Sequence, residues 1–195
     1  LAFAKPSVVP AEVWLVDVQS SANNPKLIFA NPRVTRIGSI SPTWSPDGHY
    51  LAFMGLEDDN NGRIYVWDRE SVIAVDSPQP VSEVEIMVWS QDNRLAFTAR
   101  PPGENGGDLW PAELYVWDGQ QTINISQTPD RNEWTGPWSN DGRLAYSTEG
   151  PNQGDPKQKM IWDGVNSAPA FPGFVALEWV HWTPDNELTL SGRLP

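Results

Sequence analysis

Apolar and polar positions along the chain alternate in short runs, and one arrangement of them recurs four times. The stretches "WSPDGHYLAF" from Trp44, "WSQDNRLAF" from Trp89, "WSNDGRLAY" from Trp138 and "WTPDNELTL" from Trp182 each open on tryptophan. Each then passes through a polar turn and ends in an apolar run. The tryptophans lie 45, 49 and 44 residues apart, a period that marks arrays and propellers. The runs are short, bounded by turn residues and rich in aromatic and β-branched side chains, so they predict strands. No long stretch carries helical periodicity, which predicts an all-β chain with many turns.

The turn within each copy has its own chemistry. Asp47, Asp92, Asp141 and Asp185 precede Gly48, Asn93, Gly142 and Asn186. Glycine and asparagine accept positive φ most readily, and an aspartate before them can bond the local backbone. The expectation is a tight hairpin between the tryptophan strand and a second strand at 51–53, 95–97, 144–146 and 188–190, with a further "LAF" at 1–3. The first copy carries His49-Tyr50 where the next has Arg94 alone, which predicts a bulge or longer turn. A third strand ends in Asp17, Asp68, Asp118 and Asp163, and a weaker fourth is expected near Leu27–Phe29, Pro80–Ser82, Thr122–Ile125 and Ala168–Phe171.

Four short antiparallel strands per repeat is the arithmetic of a propeller blade, whose two faces are buried only by stacking on neighbours. The "WSPDG…LAF…IYVWD" pattern, carried over essentially the whole chain, resembles the TolB-type, WD-repeat-like β-propeller family of bacteria. The resemblance implies a cell-envelope protein that contacts other proteins. One departure stands out: the only Gly-His pair, Gly48-His49, lies inside the turn, so the Gly-His to Asp network of WD repeats proper is not expected. Residues 1–195 read as a single propeller or propeller fragment, with repeats near 1–40, 41–84, 85–133, 134–176 and, partially, 177–195. Innermost strands number four and "LAF"-type strands five, which favours an arc of about four blades from a larger propeller. A closed four-bladed ring is the alternative.

Composition narrows the function classes. A formal charge of -12 disfavours phosphate backbones and anionic membrane surfaces. No apolar run approaches the roughly 20 residues of a bilayer span, so neither nucleic-acid binding nor membrane insertion is expected. No signal-peptide pattern opens the sequence, which begins at Leu1, and a preceding segment is expected. The absence of cysteine excludes disulfides, thiolate metal sites and cysteine nucleophiles, and fits a periplasmic or extracellular setting. His49 and His181 stand apart, in no metal-ligand pattern, and no nucleophile elbow or phosphate loop occurs. No catalytic residue, metal or cofactor is therefore expected.

Binding chemistry falls instead on the loops that join second to third strands and blade to blade, which share one face of a propeller. Trp110 and Trp134 break the strand pattern and read as loop residues on neighbouring blades. Exposed, they would offer a hot spot or a sugar-stacking platform. With Asp108, Asp130, Arg131 and Glu133 around them, and Asp58, Asp59 and Asp155 on adjoining loops, the surface is expected to be net negative and to favour basic or hydroxyl-rich partners. The alternative is that each tryptophan folds over its own loop as a satellite core. The Glu57–Gly62 loop has spacings like the start of a calcium loop but lacks the leading Asp, so a polar hairpin turn is the preferred reading.

Three function classes remain. The first is a non-enzymatic scaffold that binds a protein, peptide or glycan. The second is an accessory propeller of a larger enzyme, such as a prolyl-oligopeptidase-like peptidase. The third, a propeller enzyme using a histidine-bound metal, is disfavoured by the two isolated histidines.

Overall fold

The computed structural model describes residues 2–5, 10–19, 24–38, 41–57, 61–101, 111–152, 155–172 and 179–191. Every regular element among them is a strand, and the strands form five antiparallel sheets in chain order. The first sheet holds β1 (Ala2–Lys5), β2 (Ala11–Leu15) and β3 (Lys26–Asn31). The second holds β4 (Val34–Ile37), β5 (Thr43–Trp44), β6 (Leu51–Glu57), β7 (Gly62–Trp67) and β8 (Val72–Val75). The third holds β9 (Glu83–Trp89), β10 (Leu95–Arg100), β11 (Glu113–Trp117) and β12 (Thr122–Asn124). The fourth holds β13 (Asn132–Trp138), β14 (Leu144–Glu149), β15 (Gln158–Trp162) and β16 (Ser167–Pro169), and β17 (Trp179–Trp182) with β18 (Leu188–Ser191) forms the last.

These are β-propeller blades. In the second sheet β4 and β5 both pair with β6, so its innermost strand is one strand interrupted at 38–42. β4 therefore belongs to the second blade, although the sequence repeat places Val34–Ile37 in the first. Among the described residues the three strands of the first sheet and the two of the last do not pair with each other, so no single blade joins the two ends of the series. One fourth strand departs from expectation. It is Val72–Val75 rather than Pro80–Ser82, because the β-branched run pairs with β7. Val81 instead bridges Gly62 across the seam to the next blade.

The period of two places alternate side chains on opposite faces, and both faces are buried. Leu51 and Phe53 pack toward the first blade with Tyr65 and Trp67, while Ala52, Met54, Ile64 and Val66 pack toward the third. The core therefore lies between sheets, in three clusters, one at each of the first three seams.

The repeated tryptophan ties the last three of the four seams. The indole N–H of Trp89 donates to the carbonyl of Thr43 at 3.1 Å, that of Trp138 to Val88 at 3.1 Å, and that of Trp182 to Pro137 at 3.0 Å. In each case the acceptor immediately precedes the tryptophan of the previous copy. The turn behaves as its sequence predicts. Gly48, Asn93, Gly142 and Asn186 have φ of 69, 63, 84 and 62°, and the hydroxyls of Ser45, Ser90 and Ser139 donate to Asp47, Asp92 and Asp141.

The residue closing that turn reaches the next blade. Arg94 lies 4.8 Å from the Trp138 ring and donates to the Gly142 carbonyl at 2.9 Å. Arg143 does the same at Trp182, 4.7 Å away, and at the Asn186 carbonyl, 2.9 Å away. Tyr50 takes this place in the longer first turn and stacks on Trp89 at 5.8 Å. Trp44 is covered differently. Arg69, from its own blade, lies 5.6 Å from the ring and donates to the Gly48 carbonyl. To do so Arg69 adopts φ 79°, where the matching turns use Gly119 and Gly164, a conformation costly for a side chain.

Candidate functional site

Strand direction divides the molecule into two faces. The tryptophan turns and the strand-three to strand-four turns share one face, and their polar groups are consumed locally. Asp68 accepts the backbone N–H groups of Glu70 and Ser71, Asp118 those of Gln120 and Gln121, and Asp163 those of Val165 and Asn166. These bonds hold all three carboxyls below the usual aspartate range. The opposite face carries the longer loops, and three groups of side chains there have unspent chemistry.

The first surrounds a cleft of about 360 Å³ at the seam of the second and third blades. Its floor is apolar, from Ile64, Val75, Val81 and Phe97, and Pro78–Pro80 form a wall. Glu57, at the end of β6, accepts the Tyr65 hydroxyl at 2.9 Å and is met by Arg63 at 3.4 Å and Arg33 at 3.9 Å. Burial and the Glu57 bond push the Tyr65 phenol up to about 12. A Cβ at Gly62 would displace the end of the Met54 side chain and sit tight, at 3.1 Å, against the Ser82 carbonyl, where the next blade's entry segment crosses.

The second group is a pair of buried carboxylates at the third seam. Glu133, with no exposed surface, accepts the hydroxyls of Thr128 and Thr148 on Oε1, while Oε2 is buried without a partner among the described residues. Glu113 accepts Asn124 Nδ2 and, at 3.2 Å, Ser126 Oγ. Burial, reinforced by the neighbouring Glu113, pushes Glu133 up to about 7.

The third group lines the fourth blade where it faces β17. Trp134, Ser147 and Lys159 lie side by side across β13, β14 and β15. Lys159 Nζ donates to Ser147 Oγ at 2.7 Å, and Lys157 Nζ lies 5.5 Å from the Trp134 ring centroid. Lys157 also pairs with Glu149 at 3.6 Å. Burial, then the charge of Lys157, holds the Lys159 ammonium below its ordinary range.

The expected binding residues separate on this frame. Trp110, Asp108, Asp58 and Asp59 lie outside the described residues. Trp134 is a strand residue, the third of β13, and half-buried. Glu133, expected on the surface, is buried, because its neighbour Trp134 takes the other side of the same strand. Asp130 is exposed, Arg131 Nε donates to Thr148 Oγ1 at 2.8 Å, and Asp155 folds onto its own loop by accepting the Asn152 N–H at 3.0 Å. Glu57 is taken up by Tyr65 and the arginines, while the centre of the calcium-like loop, 58–60, lies outside the described residues. Sequence reasoning missed Lys157, Lys159 and Ser147. A usable signal existed, because Lys159 stands where the other copies have Val13, Ile64 and Leu114.

No protein-family model matches the chain, and no curated protein sequence matches it. Solved structures do. An acylaminoacyl peptidase from Pyrococcus horikoshii is similar over 88% of this chain and 33% of its own, at 15% identity and a TM-score of 0.51. An oligogalacturonate lyase from Vibrio parahaemolyticus is similar over 91% of this chain and 51% of its own, at 12% identity and a TM-score of 0.54. An acylaminoacyl peptidase in complex with Z-Gly-Gly-Phe-chloromethyl ketone is similar over 92% and 31%, at 12% identity and a TM-score of 0.51. The chain thus spans a third to a half of the length of these structures, and the likeness is one of fold.

Proposed function

We propose that this chain is a non-enzymatic β-propeller binding scaffold of the TolB type, whose loop face holds a protein, peptide or glycan in a periplasmic or extracellular setting. The asymmetry of the two faces carries the reading. Polar groups on the turn face are spent within the turns and between neighbouring blades, whereas the loop face offers a cleft of about 360 Å³ flanked by Arg33 and Arg63. A concave site with an apolar floor and a few convergent polar groups is the usual form of a binding site. The test is to probe the protein against peptide and glycan arrays and to repeat the assay with Arg63→Ala and, on the turn face, Glu70→Ala. Loss of binding in the first and retention in the second is expected. Equal loss in both removes the facial asymmetry. No hydrolase or lyase turnover is expected from this chain, and turnover that survives repurification and disappears on a single substitution overturns that expectation.

A second reading, an accessory propeller of a larger peptidase, draws support from the likeness to acylaminoacyl peptidases that covers about a third of each. The full reading frame decides it, since a catalytic hydrolase domain beside this chain is what that reading requires.

A further inference from the structure

We infer that Trp134, Ser147, Lys157 and Lys159 form a subsite on the loop face for an anionic sugar, a uronate residue of an acidic glycan. The inference rests on the loop-face reading above and narrows its ligand.

Position comes first. Trp134, Ser147 and Lys159 share the surface of the fourth blade that faces the last hairpin, near the loop end of the strands. At the matching places the second blade has Met54 and Ile64, both part of the apolar cluster at its seam, and the third has Thr98 and Leu114. The Thr98 hydroxyl is spent accepting the Thr135 N–H at 3.0 Å. Only the fourth blade puts a lysine there. A cation at a position the fold otherwise fills with an aliphatic side chain does not serve the seam. It calls for a different use.

Charge comes second. The chain as a whole is strongly acidic, with a formal charge of -12, yet this corner holds two ammonium groups close enough to repel each other. Glu149 is the carboxylate ion-paired there, to Lys157 at 3.6 Å, while Lys159 is bonded to a neutral hydroxyl at 2.7 Å. Among the described residues Lys159 has no ion-pair partner, and an arriving carboxylate would supply one. The Lys157 side chain is 56% exposed, and an ion pair of that kind is weak enough to be exchanged for a ligand.

Shape comes third. Lys157 Nζ stands over the partly buried indole, 5.5 Å from the ring centroid, and on swinging to a ligand carboxylate it would uncover a flat apolar surface for the C–H face of a sugar ring. A carboxylated ring fits both the charge and the aromatic surface.

The test uses indole-nitrogen-labelled protein, with the Trp134 resonance assigned from Trp134→Phe. Titration with alginate-derived tetramannuronate is expected to shift that resonance, with an apparent affinity that weakens as salt is raised. The neutral tetrasaccharide cellotetraose is expected to leave it in place. Lys157→Ala and Lys159→Met are each expected to weaken the tetramannuronate response about tenfold or more while thermal unfolding stays close to that of the unaltered protein. If the Trp134 resonance does not move, or responds equally to the neutral sugar, the inference fails. Shifts confined to other loop-face residues sink the uronate subsite but leave the broader loop-face reading standing. Failure of that reading is seen separately, as loss of the contrast between the two faces on the arrays.

Discussion

Two seams of the same propeller are built from the same repeat and do opposite things. Between the second and third blades, Met54, Ile64, Val66, Leu95 and Phe97 pack an apolar interface beneath the loop-face cleft, and Trp89 is only 8% exposed. Between the fourth blade and the last hairpin, the tryptophan tie is kept, with Trp182 bonded to Pro137 at 3.0 Å. The side chains beyond it are Trp134, Ser147 and Lys159. The tie near the turn face therefore does not require an apolar seam near the loop face. Cohesion is concentrated at one end of the strands, which leaves the other end available for chemistry.

The largest expected effect lies at the apolar seam of the second and third blades. Trp89→Ala should cost about 3–5 kcal/mol, as for other buried aromatic truncations, because it removes the bond to Thr43 and the Tyr50 stack together. Trp134→Ala should cost less, about 2–3 kcal/mol, the indole being only partly buried and in none of the apolar clusters. Chemical denaturation measures both, and similar losses in the two variants would erase the contrast between seams.

A seam of intermediate character joins the third and fourth blades, where Glu133 is buried. Its folded pKa of about 7 lies above the ordinary 4.5, so the folded protein binds the proton more tightly than the unfolded chain. That stabilisation is complete below pH 4.5 and is lost as pH rises through 7, about 3 kcal/mol at most. The turn aspartates act in the reverse sense. The Ser45 hydroxyl, the His49 N–H and the Asn93 amide hold Asp47 at about 2, so its contribution is present above 3.8 and lost as pH falls toward 2. Thermal stability should peak near the carboxylate range and decline toward pH 8. Glu133→Gln should flatten the decline between pH 4.5 and 7; a profile as steep as before would show that Glu133 is not its source.

Smaller effects follow from backbone and surface. Asn93→Val should cost about 1–2 kcal/mol, since a β-branched residue resists φ 63°. Asn93→Gly should be tolerated, losing only the exposed bond to Asp47. Equal unfolding midpoints for the two would remove the turn argument. Lys159→Met restores the apolar side chain of the matching position and should change stability by less than about 1 kcal/mol. A large loss would mean that the amine supports the seam itself.

Strand pattern, turn chemistry and the repeat were legible because each is local: an Asp-Gly or Asp-Asn turn announces itself within five residues, and a period of two needs only one strand. The interruption of the second innermost strand was not legible, because Val34–Ile37 looks like any other short apolar run until β6 pairs with it. The site was read less well for the same reason. Glu133 and Trp134 are adjacent in sequence and lie on opposite faces of one strand, so treating them as a single exposed loop merged a buried acid with a surface aromatic. Lys157 and Lys159 meet Trp134 only through two strand registers, which a list of loop residues cannot reveal.

The indole-to-carbonyl bond has a consequence for how such a chain can grow. From Trp89 onward each unit brings its own donor, the tryptophan, and the residue before a tryptophan serves as acceptor for the next unit, as Thr43, Val88 and Pro137 do. A stretch of coding sequence copied whole and inserted at a seam therefore arrives with both halves of its joint already matched, upstream and downstream. Deletion of a whole unit likewise rejoins a compatible donor and acceptor. Lineages carrying this motif can change their number of repeats in single steps without inventing a new joint, while each copy is left to diverge on the side where the loops lie.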